Sequence, residues 1–415
     1  MKICDIVQFY SPLGGGVRRY LEDKMRFFAQ RPECNHIVIA PGAAHSRSLR
    51  ERTAFYEVKS MRLAGSISYR MLLNRRRILS IIDQEKPDLI EVGDPYRSAW
   101  IALEAAERNK IPIVAFYHSD FPRALGRTIR RFCGGFIEKI LSRGVHRYIV
   151  DLYNRMNATI VASSRMERVL KECGVERVVR IPLGTDISFF RPSGEGLSVR
   201  RELGLKEEDY LLLFVGRMAR EKRIRSLVGM MDELARDPGG PGRCHLLLAG
   251  DGESRRYVER IARERKDATW FRYTESIDRL RELYNAADLF VHAGTSETFG
   301  ITSLEAQACG TRVLAVRNGG LDDSLVGEFP LIMADSPSPI DLADGVRRIR
   351  SLADPGSSAA RSERIAAHFS IRRTFERITN LYQHILDGKS VESFSASTSD
   401  MDAKDEEYYS AILTG

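Results

Sequence analysis

Short apolar runs alternate with longer amphipathic stretches along this chain, and they do so in two successive series. Ile3–Phe9, His36–Ala40, Leu89–Val92, Ile113–Tyr117 and Ala158–Ala162 make the first series. Tyr210–Val215, His245–Ala249, Trp270–Tyr273, Leu289–His292 and Arg312–Ala315 make the second. Mostly apolar runs of this length suit strands buried on both faces, and the stretches between them suit crossover helices. Each series therefore predicts a parallel sheet covered by helices, an α/β chain of two doubly wound halves. Between the series lies IPLGTDISFFRPSGEG, Ile181–Gly196, whose Pro, Gly, Asp and Ser content breaks regular structure as a linker does. The 415 residues are enough for two domains, each with its own core. The expected division is 1–185, a linker over 186–196, a second domain over 197–366, a last helix over 367–388 and an acidic tail over 389–415.

The stretch with the most chemistry is ETFGITSLEAQACGTRVLAVRNGG, Glu297–Gly320. Glu297 and Glu305 stand eight positions apart, with Phe299-Gly300 just after the first and a helix-like run, Thr302–Cys309, around the second. Gly300 lets the backbone N–H approach a ligand oxygen closely. The helix that starts there offers unpaired N–H groups and a dipole that favours an anion. A carboxylate before such a turn suits sugar hydroxyls. A second one near the first turn of the helix suits ribose hydroxyls. The pattern is what a sugar nucleotide asks for.

The two glutamates, with FG, EA, ACG and the following Val-Leu-Ala in the same order, resemble the E-x7-E signature of retaining glycosyltransferases of family 4. The resemblance extends from Met1 to about Leu386. It implies the GT-B fold: two Rossmann-like domains facing a cleft, with the C-terminal helix crossing back to the first domain. FSIRRTFERITNLYQHIL, Phe369–Leu386, is similar to the family's ending and places Phe375, Ile378, Thr379, Tyr382 and Ile385 roughly on one helical face. The resemblance also implies sugar transfer from a UDP- or GDP-sugar, of mannose or glucose type, to a hydroxyl with retention at the anomeric carbon. Phe299, Gly300 and Ile301 then belong to the donor site with Glu297 and Glu305.

Further along the second series, LLLFVGRMAREKRI puts Gly216 and Arg217 just after a buried strand and Lys222 five residues beyond Arg217. Strand ends in open α/β sheets are where ligands bind, and two fixed cations there can neutralise a departing diphosphate. The segment resembles the family's G-R-[LM]-x-x-E-K-G. Arg223 stands where the family has glycine, a departure expected to alter the local turn. AGDGE, Ala249–Glu253, resembles a further donor-cleft turn through Gly250 and Gly252. WFRYTES, Trp270–Ser276, lacks the family's glycine, so no base-specific residue is assigned there.

In the first series, YSPLGGGVRRY follows the first strand, and Gly14, Gly15 and Gly16 make a tight turn into a helix expected near Val17, an anion site by geometry. GGGVRR lacks the third glycine of a dinucleotide fingerprint, which disfavours an NAD-dependent oxidoreductase. The family resemblance assigns Gly15 and Gly16 to the donor. AFYHSDFPRALGR resembles the H-[ST]-[DN]-F-P of lipid-glycosylating and mannosyl-transferring members. It implies His118 at the cleft, touching the donor sugar or assisting the acceptor, and Asp120 holding the acceptor. A near-neutral His118 suits hydrogen bonding in either protonation state. His118, Arg217, Lys222 and Glu297 are the candidate catalytic residues. No protein nucleophile is evident and no Asp-x-Asp stands in a metal-dependent context, so neither a metal nor a cofactor is expected.

Charge narrows the partners. The net is +8, yet Ser390–Gly415 carries six carboxylates against Lys404 alone, so the basic residues lie in the body and call for an anionic partner. The tail is expected to be disordered. Arg123–Arg155 interleaves arginines with apolar residues, and Arg70 with Arg75, Arg76 and Arg77 forms a second cluster. Either these are amphipathic helices that lie on an anionic membrane, or they are surface helices whose apolar faces are core. No aromatic–basic nucleic-acid module is present, so a nucleic-acid partner is not expected. The six cysteines are scattered with no CxxC, and no apolar run reaches membrane-spanning length. The expected location is cytoplasmic, peripheral to the inner membrane face. The acceptor is expected to be a lipid or saccharide; a soluble transferase acting on a small metabolite or polysaccharide precursor is the alternative.

Overall fold

The structure is a computed structural model that describes residues 1–10, 16–63, 69–118, 135–272, 276–317, 320–325, 333–352 and 357–394, and over 135–143 it describes the backbone. The chain forms two compact units. One is Met1–Pro182 together with the described residues from Thr374; the other is Leu183–Arg373.

The first unit runs β1 (Lys2–Ile6), α1 (Gly16–Ala29), β2 (Asn35–Gly42), β3 (Ser46–Arg50), β4 (Thr53–Lys59), β5 (Met61–Arg62), β6 (Arg70–Met71), α2 (Arg75–Glu85), β7 (Leu89–Val92), α3 (Arg97–Asn109), β8 (Ile113–Phe116), α4 (Gly135–Tyr153), β9 (Ala158–Val161), α5 (Ser164–Cys173) and β10 (Val178–Arg180). Its main sheet has the order β10-β9-β8-β7-β1-β2-β4-β3, parallel except for the edge strand β3. β7, β8 and β9 are buried along their whole length, because helices cover both faces. From β1 the chain first builds toward β2 and β4, then returns to build β7, β8, β9 and β10 on the other side. The direction of growth thus reverses between β1 and β7, and the carboxyl ends of these two strands form the crevice where such sheets take ligands.

The second unit runs α6 (Gly196–Glu202), β11 (Tyr210–Val215), α7 (Ile224–Arg236), β12 (Cys244–Ala249), α8 (Arg255–Glu264), β13 (Ala268–Phe271), α9 (Ile277–Ala286), β14 (Leu289–His292), α10 (Ile301–Ala308), β15 (Arg312–Val316), β16 (Met333–Ala334), α11 (Pro339–Ser351) and α12 (Ser358–His368). Its sheet is parallel, ordered β13-β12-β11-β14-β15-β16, and its growth reverses between β11 and β14. Thr185, placed at the end of the first domain by the expected division, pairs with Ser370 of the second unit: its N–H donates to Phe369 O (2.8 Å) and its carbonyl accepts from Ile371 N–H (2.9 Å). The boundary between units consequently falls at Pro182/Leu183.

The last helix, α13 (Ile371–Leu386), buries Phe375, Ile378, Leu381, Tyr382 and Ile385, and from Thr374 it belongs to the first unit. Its apolar face closes over Tyr20 and Phe27 of α1, with Phe375 ring centroids 5.5 and 5.4 Å from theirs. No disulfide joins the described cysteines. No helix among the described residues is long and apolar enough to cross a membrane.

Candidate active site

In the second unit, the reversal between β11 and β14 brings together the loops that follow these strands. Gly216 and Arg217 leave β11, and a 3₁₀ turn over Arg220–Lys222 leads into α7. The loop after β12 is laced to this one: Gly216 N–H donates to Ala249 O, Met218 N–H to Asp251 O and Ser254 N–H to Met218 O. The lacing dictates Gly250. Its φ is +143°, and a Cβ there would stand 1.9 Å from Gly216 O. Arg223 adopts φ +56°, ψ 39°, the left-handed conformation glycine would take, and its side chain bears the strain.

Across from this loop, β14 ends at His292 and the chain reaches Glu297 before α10. Lys222 Nζ is ion-paired with Glu297 Oε1, with both side chains largely withdrawn from solvent. His292 is buried; its Nδ1 accepts from Gly294 N–H (3.2 Å), which leaves Nε2 to donate toward Glu297 Oε1 at 3.4 Å. Burial pushes the Glu297 carboxyl up, but the Lys222 ammonium and His292 outweigh it and hold the group well below the usual carboxylate range. Glu297 is therefore a fixed anion, held by the Lys222 ammonium and the His292 imidazole. Arg217 is two-thirds exposed and pairs with Glu221 at 3.0 Å.

Gly300 caps α10 with φ +93°, and a Cβ there would meet Leu321 Cδ2 at 2.7 Å, so both backbone conformation and packing require glycine. Ile301 opens the helix. Phe299 is buried with its ring 6.1 Å from that of Phe369, so its side chain belongs to the core of the unit. Glu305 is the fifth residue of α10. It is buried, and its Oε2 accepts from the Tyr284 hydroxyl at 2.7 Å. Gly252 also lies in the β12 loop, where a Cβ would stand 2.9 Å from Met218 N.

In the first unit, Gly16 begins α1, the helix that follows β1 in the chain, with nothing within 4 Å of where its Cβ would be. His118 follows β8 and stacks on Phe116 (4.2 Å, 15°), with Tyr20 at its edge (5.1 Å). Its titration is not near-neutral as expected. Burial first, then the positive charge of Lys24, push its pKa down to about 3, so His118 is a neutral imidazole. At the end of β7 the buried Asp94 accepts from Gln8 N–H (2.9 Å), and burial raises its pKa to about 6.

Gly14, Gly15, Asp120, Arg123, Arg127, Arg130, Arg131 and residues 395–415 of the acidic tail lie outside the described residues. The start of the tail is not disordered as expected: residues 391–394 are helical, Val391 and Phe394 are buried, and the Phe394 ring lies 5.4 Å from that of His384. Of the basic stretch, the described end of α4 places Ile149, Leu152 and Tyr153 in the core, and Tyr148 donates to Pro95 O at 2.6 Å. The apolar face of that end is core and is not offered to lipid.

Two family descriptions cover most of the chain: "Glycosyltransferase Family 4" matches residues 14–189 and "Glycosyl transferases group 1" matches residues 198–366. The chain belongs to the family 4 glycosyltransferases. This glycosyltransferase is similar to a GDP-mannose-dependent alpha-mannosyltransferase of Corynebacterium glutamicum, 26% identical over 77% of this chain and 73% of that protein. It is equally similar, at 26% identity over 85% of this chain and 88% of the other, to a GDP-mannose-dependent alpha-(1-6)-phosphatidylinositol dimannoside mannosyltransferase of Mycobacterium tuberculosis. The fold matches sucrose-phosphate synthase from Thermosynechococcus elongatus with a TM-score of 0.74 at 20% identity, covering 94% of this chain and 100% of that one. The two doubly wound units are thus the two Rossmann-like domains of the GT-B fold.

The sequence reading missed His292 and Tyr284, which hold the two glutamates. His292 left a faint signal: a histidine that closes an otherwise apolar strand, Leu289–His292, five residues before Glu297.

Proposed function

We propose that this glycosyltransferase is a retaining, metal-independent hexosyltransferase. It takes mannose or glucose from a GDP- or UDP-sugar and passes it to a hydroxyl of a lipid or saccharide at the cytoplasmic face of a membrane. The observation that carries the reading is the grouping of Arg217, Lys222, Glu297 and His292 at the reversal point of the second unit. Arg217 and Lys222 receive the diphosphate, and their charge does the neutralising that a metal would otherwise do. Glu297, kept ionised, accepts hydrogen bonds from the hexose hydroxyls, and Glu305 takes the ribose. Gly216, Gly250, Gly252, Gly300 and Ile301 line the donor with backbone. His118 acts on the acceptor side as a neutral hydrogen-bonding group, with Asp120 as its partner in holding the acceptor. As the bond from the anomeric carbon to the diphosphate breaks, the acceptor oxygen bonds to the same face, and its proton passes to the departing phosphate oxygen. The mannosyltransferase relatives put GDP-mannose first among donors to try.

Thermal unfolding with GDP-mannose, UDP-glucose and the bare diphosphates tests the donor. A ligand at a hundredfold excess over its Kd stabilises by about 2.7 kcal/mol. NMR of the product anomer tests retention, and activity after EDTA treatment tests metal independence. No stabilisation by any of the four nucleotides would overturn the donor site.

A second reading, a soluble acceptor, is favoured by the core placement of Ile149, Leu152 and Tyr153. Sedimentation with anionic vesicles separates the two. Salt-sensitive binding that Arg127→Glu, Arg130→Glu and Arg131→Glu together abolish supports the membrane reading. No binding at low salt supports the soluble acceptor.

A further inference from the structure

Beneath His118 lies a buried cluster of charged and hydroxyl groups that sugar transfer as described leaves unused. Lys24 is completely buried on α1. Its Nζ donates to Asp5 Oδ1 on β1 (2.7 Å) and to the Tyr382 hydroxyl on α13 (2.9 Å), and lies 3.0 Å from Glu91 Oε1 on β7. The Tyr382 hydroxyl donates in turn to Glu91 Oε2. One turn before Lys24, the Tyr20 hydroxyl donates to Glu91 Oε1 at 3.1 Å. Asp5 Oδ2 also receives His36 Nε2 at 2.6 Å, and His36 Nδ1 meets Thr53 Oγ1 at 3.0 Å. A buried ammonium with three partners satisfies all its donors. Such networks hold their members in one arrangement, because every partial alternative leaves a buried group unpaired.

The Tyr20 ring is what this network presents to the site. Its hydroxyl is fixed by Glu91, and its body touches His118 at 5.1 Å, Phe116 at 4.9 Å and Phe375 of α13 at 5.5 Å. α13 therefore bears on Tyr20 twice, through Phe375 against the ring and through Tyr382 on the carboxylate that holds the hydroxyl. His118 is clasped between Phe116 on its face and Tyr20 at its edge.

We propose that Tyr20 is a positioning residue for His118, and that α13 sets it through the Tyr382–Glu91–Tyr20 chain of hydrogen bonds. The docking of the last helix then governs the acceptor-side histidine, as well as closing the core. The proposal rests on the reading of His118 as a site residue.

The experiment uses the full chain with labelled histidine, and Tyr20→Phe, Tyr382→Phe and His118→Gln variants. The two phenylalanine variants keep their rings, and circular dichroism checks that they fold. The imidazole signals of His118, assigned by their loss in His118→Gln, are expected to move in both, and this readout needs no donor. Transfer from GDP-mannose is expected to fall on the order of tenfold in Tyr20→Phe, as a displaced reacting group brings. In the His118→Gln background the same change is expected to have less than a twofold effect, since coupled residues are not additive. A merely structural tyrosine would lower both backgrounds equally. Unmoved His118 signals in both phenylalanine variants, or equal losses in the two backgrounds, overturn the proposal. If His118→Gln transfers like the wild type while the signals still move, the reading of His118 as a site residue is what fails, and the proposal falls with it.

Discussion

Lys222 and Glu297 are 75 positions apart and form an ion pair where the loops after β11 and β14 meet. The pair joins the group assigned to the diphosphate with the group assigned to the hexose. Donor binding is then expected to draw Lys222 toward phosphate while His292 keeps hold of the carboxylate.

Removing either cation should cripple the chemistry. Arg217→Ala and Lys222→Ala are each expected to cut turnover on the order of a hundredfold, as losing a preorganised charge at a departing anion does. The two should differ in pH dependence. Lys222 depresses the Glu297 carboxyl, so Lys222→Ala should move the acid limb of the rate profile upward, whereas Arg217→Ala should leave it in place. Rate profiles from pH 4 to 8 check this. An unshifted limb in Lys222→Ala would mean that Glu297 does not need its charge for transfer.

The two glutamates should separate kinetically. Glu297→Gln is expected to lower turnover with little change in GDP affinity, because it is assigned to the sugar. Glu305→Gln is expected to weaken GDP binding, and Tyr284→Phe should follow it in the same direction, since the Tyr284 hydroxyl fixes Glu305. Calorimetric titration of GDP with the three variants measures this. Full GDP affinity in Glu305→Gln would remove the ribose assignment.

The apolar runs disclosed most of the parallel strands, because strands buried on both faces are mostly apolar, but they did not disclose β4, β10 and β16, which are also parallel. β3 escaped for the opposite reason: SRSLR is an exposed edge with a polar sequence, and its pairing with β4 is visible only in three dimensions. At the site, Lys222 and Glu297 were each legible from local motifs, but their pairing depends on which strands the sheet places side by side. The burial of Glu305 against Tyr284 was hidden for the same reason. His118 looked like an ordinary histidine beside a strand. Its depressed titration comes from its surroundings and from Lys24, neighbours that no local spacing reveals.

Arg223 offers a stability test that leaves the chemistry alone. Its left-handed backbone costs a non-glycine residue about 1–2 kcal/mol, part of which glycine returns by its greater freedom in the unfolded chain. Arg223→Gly is expected to stabilise by a net of about 0.5–1 kcal/mol and to raise Tm by roughly 1–4 °C. Arg223→Val, β-branched in the same conformation, should lower it. Calorimetry of the three proteins decides, and a lower Tm for Arg223→Gly would show that the arginine side chain contributes more than its backbone strain costs.

Two carboxylates compete for the ammonium of Lys24, and they should make stability depend on pH in opposite senses. Burial raises the Asp5 carboxyl, but Lys24 and His36 overcome this and hold it well below the usual range. Glu91 is raised to about 7 by burial and by the charge of Asp5, with Lys24 and Tyr382 only partly offsetting them. A carboxyl whose folded pKa lies above its unfolded value contributes stability that is complete below the unfolded value and is lost as pH rises through the folded one. Glu91 should thus destabilise the protein progressively from about pH 5 to pH 8, while Asp5 becomes unfavourable only in acid. Glu91→Gln carries no such proton. The difference in Tm between Glu91→Gln and the wild type should therefore move in favour of the variant as pH rises over this window. Asp94, raised to about 6, adds to the wild-type slope in both proteins and cancels in the difference. Thermal unfolding of the two proteins at pH 5, 6, 7 and 8 measures the trend. A difference that stays constant, or moves against the variant, would show that Glu91 is ionised throughout and that Lys24 holds both carboxylates as anions.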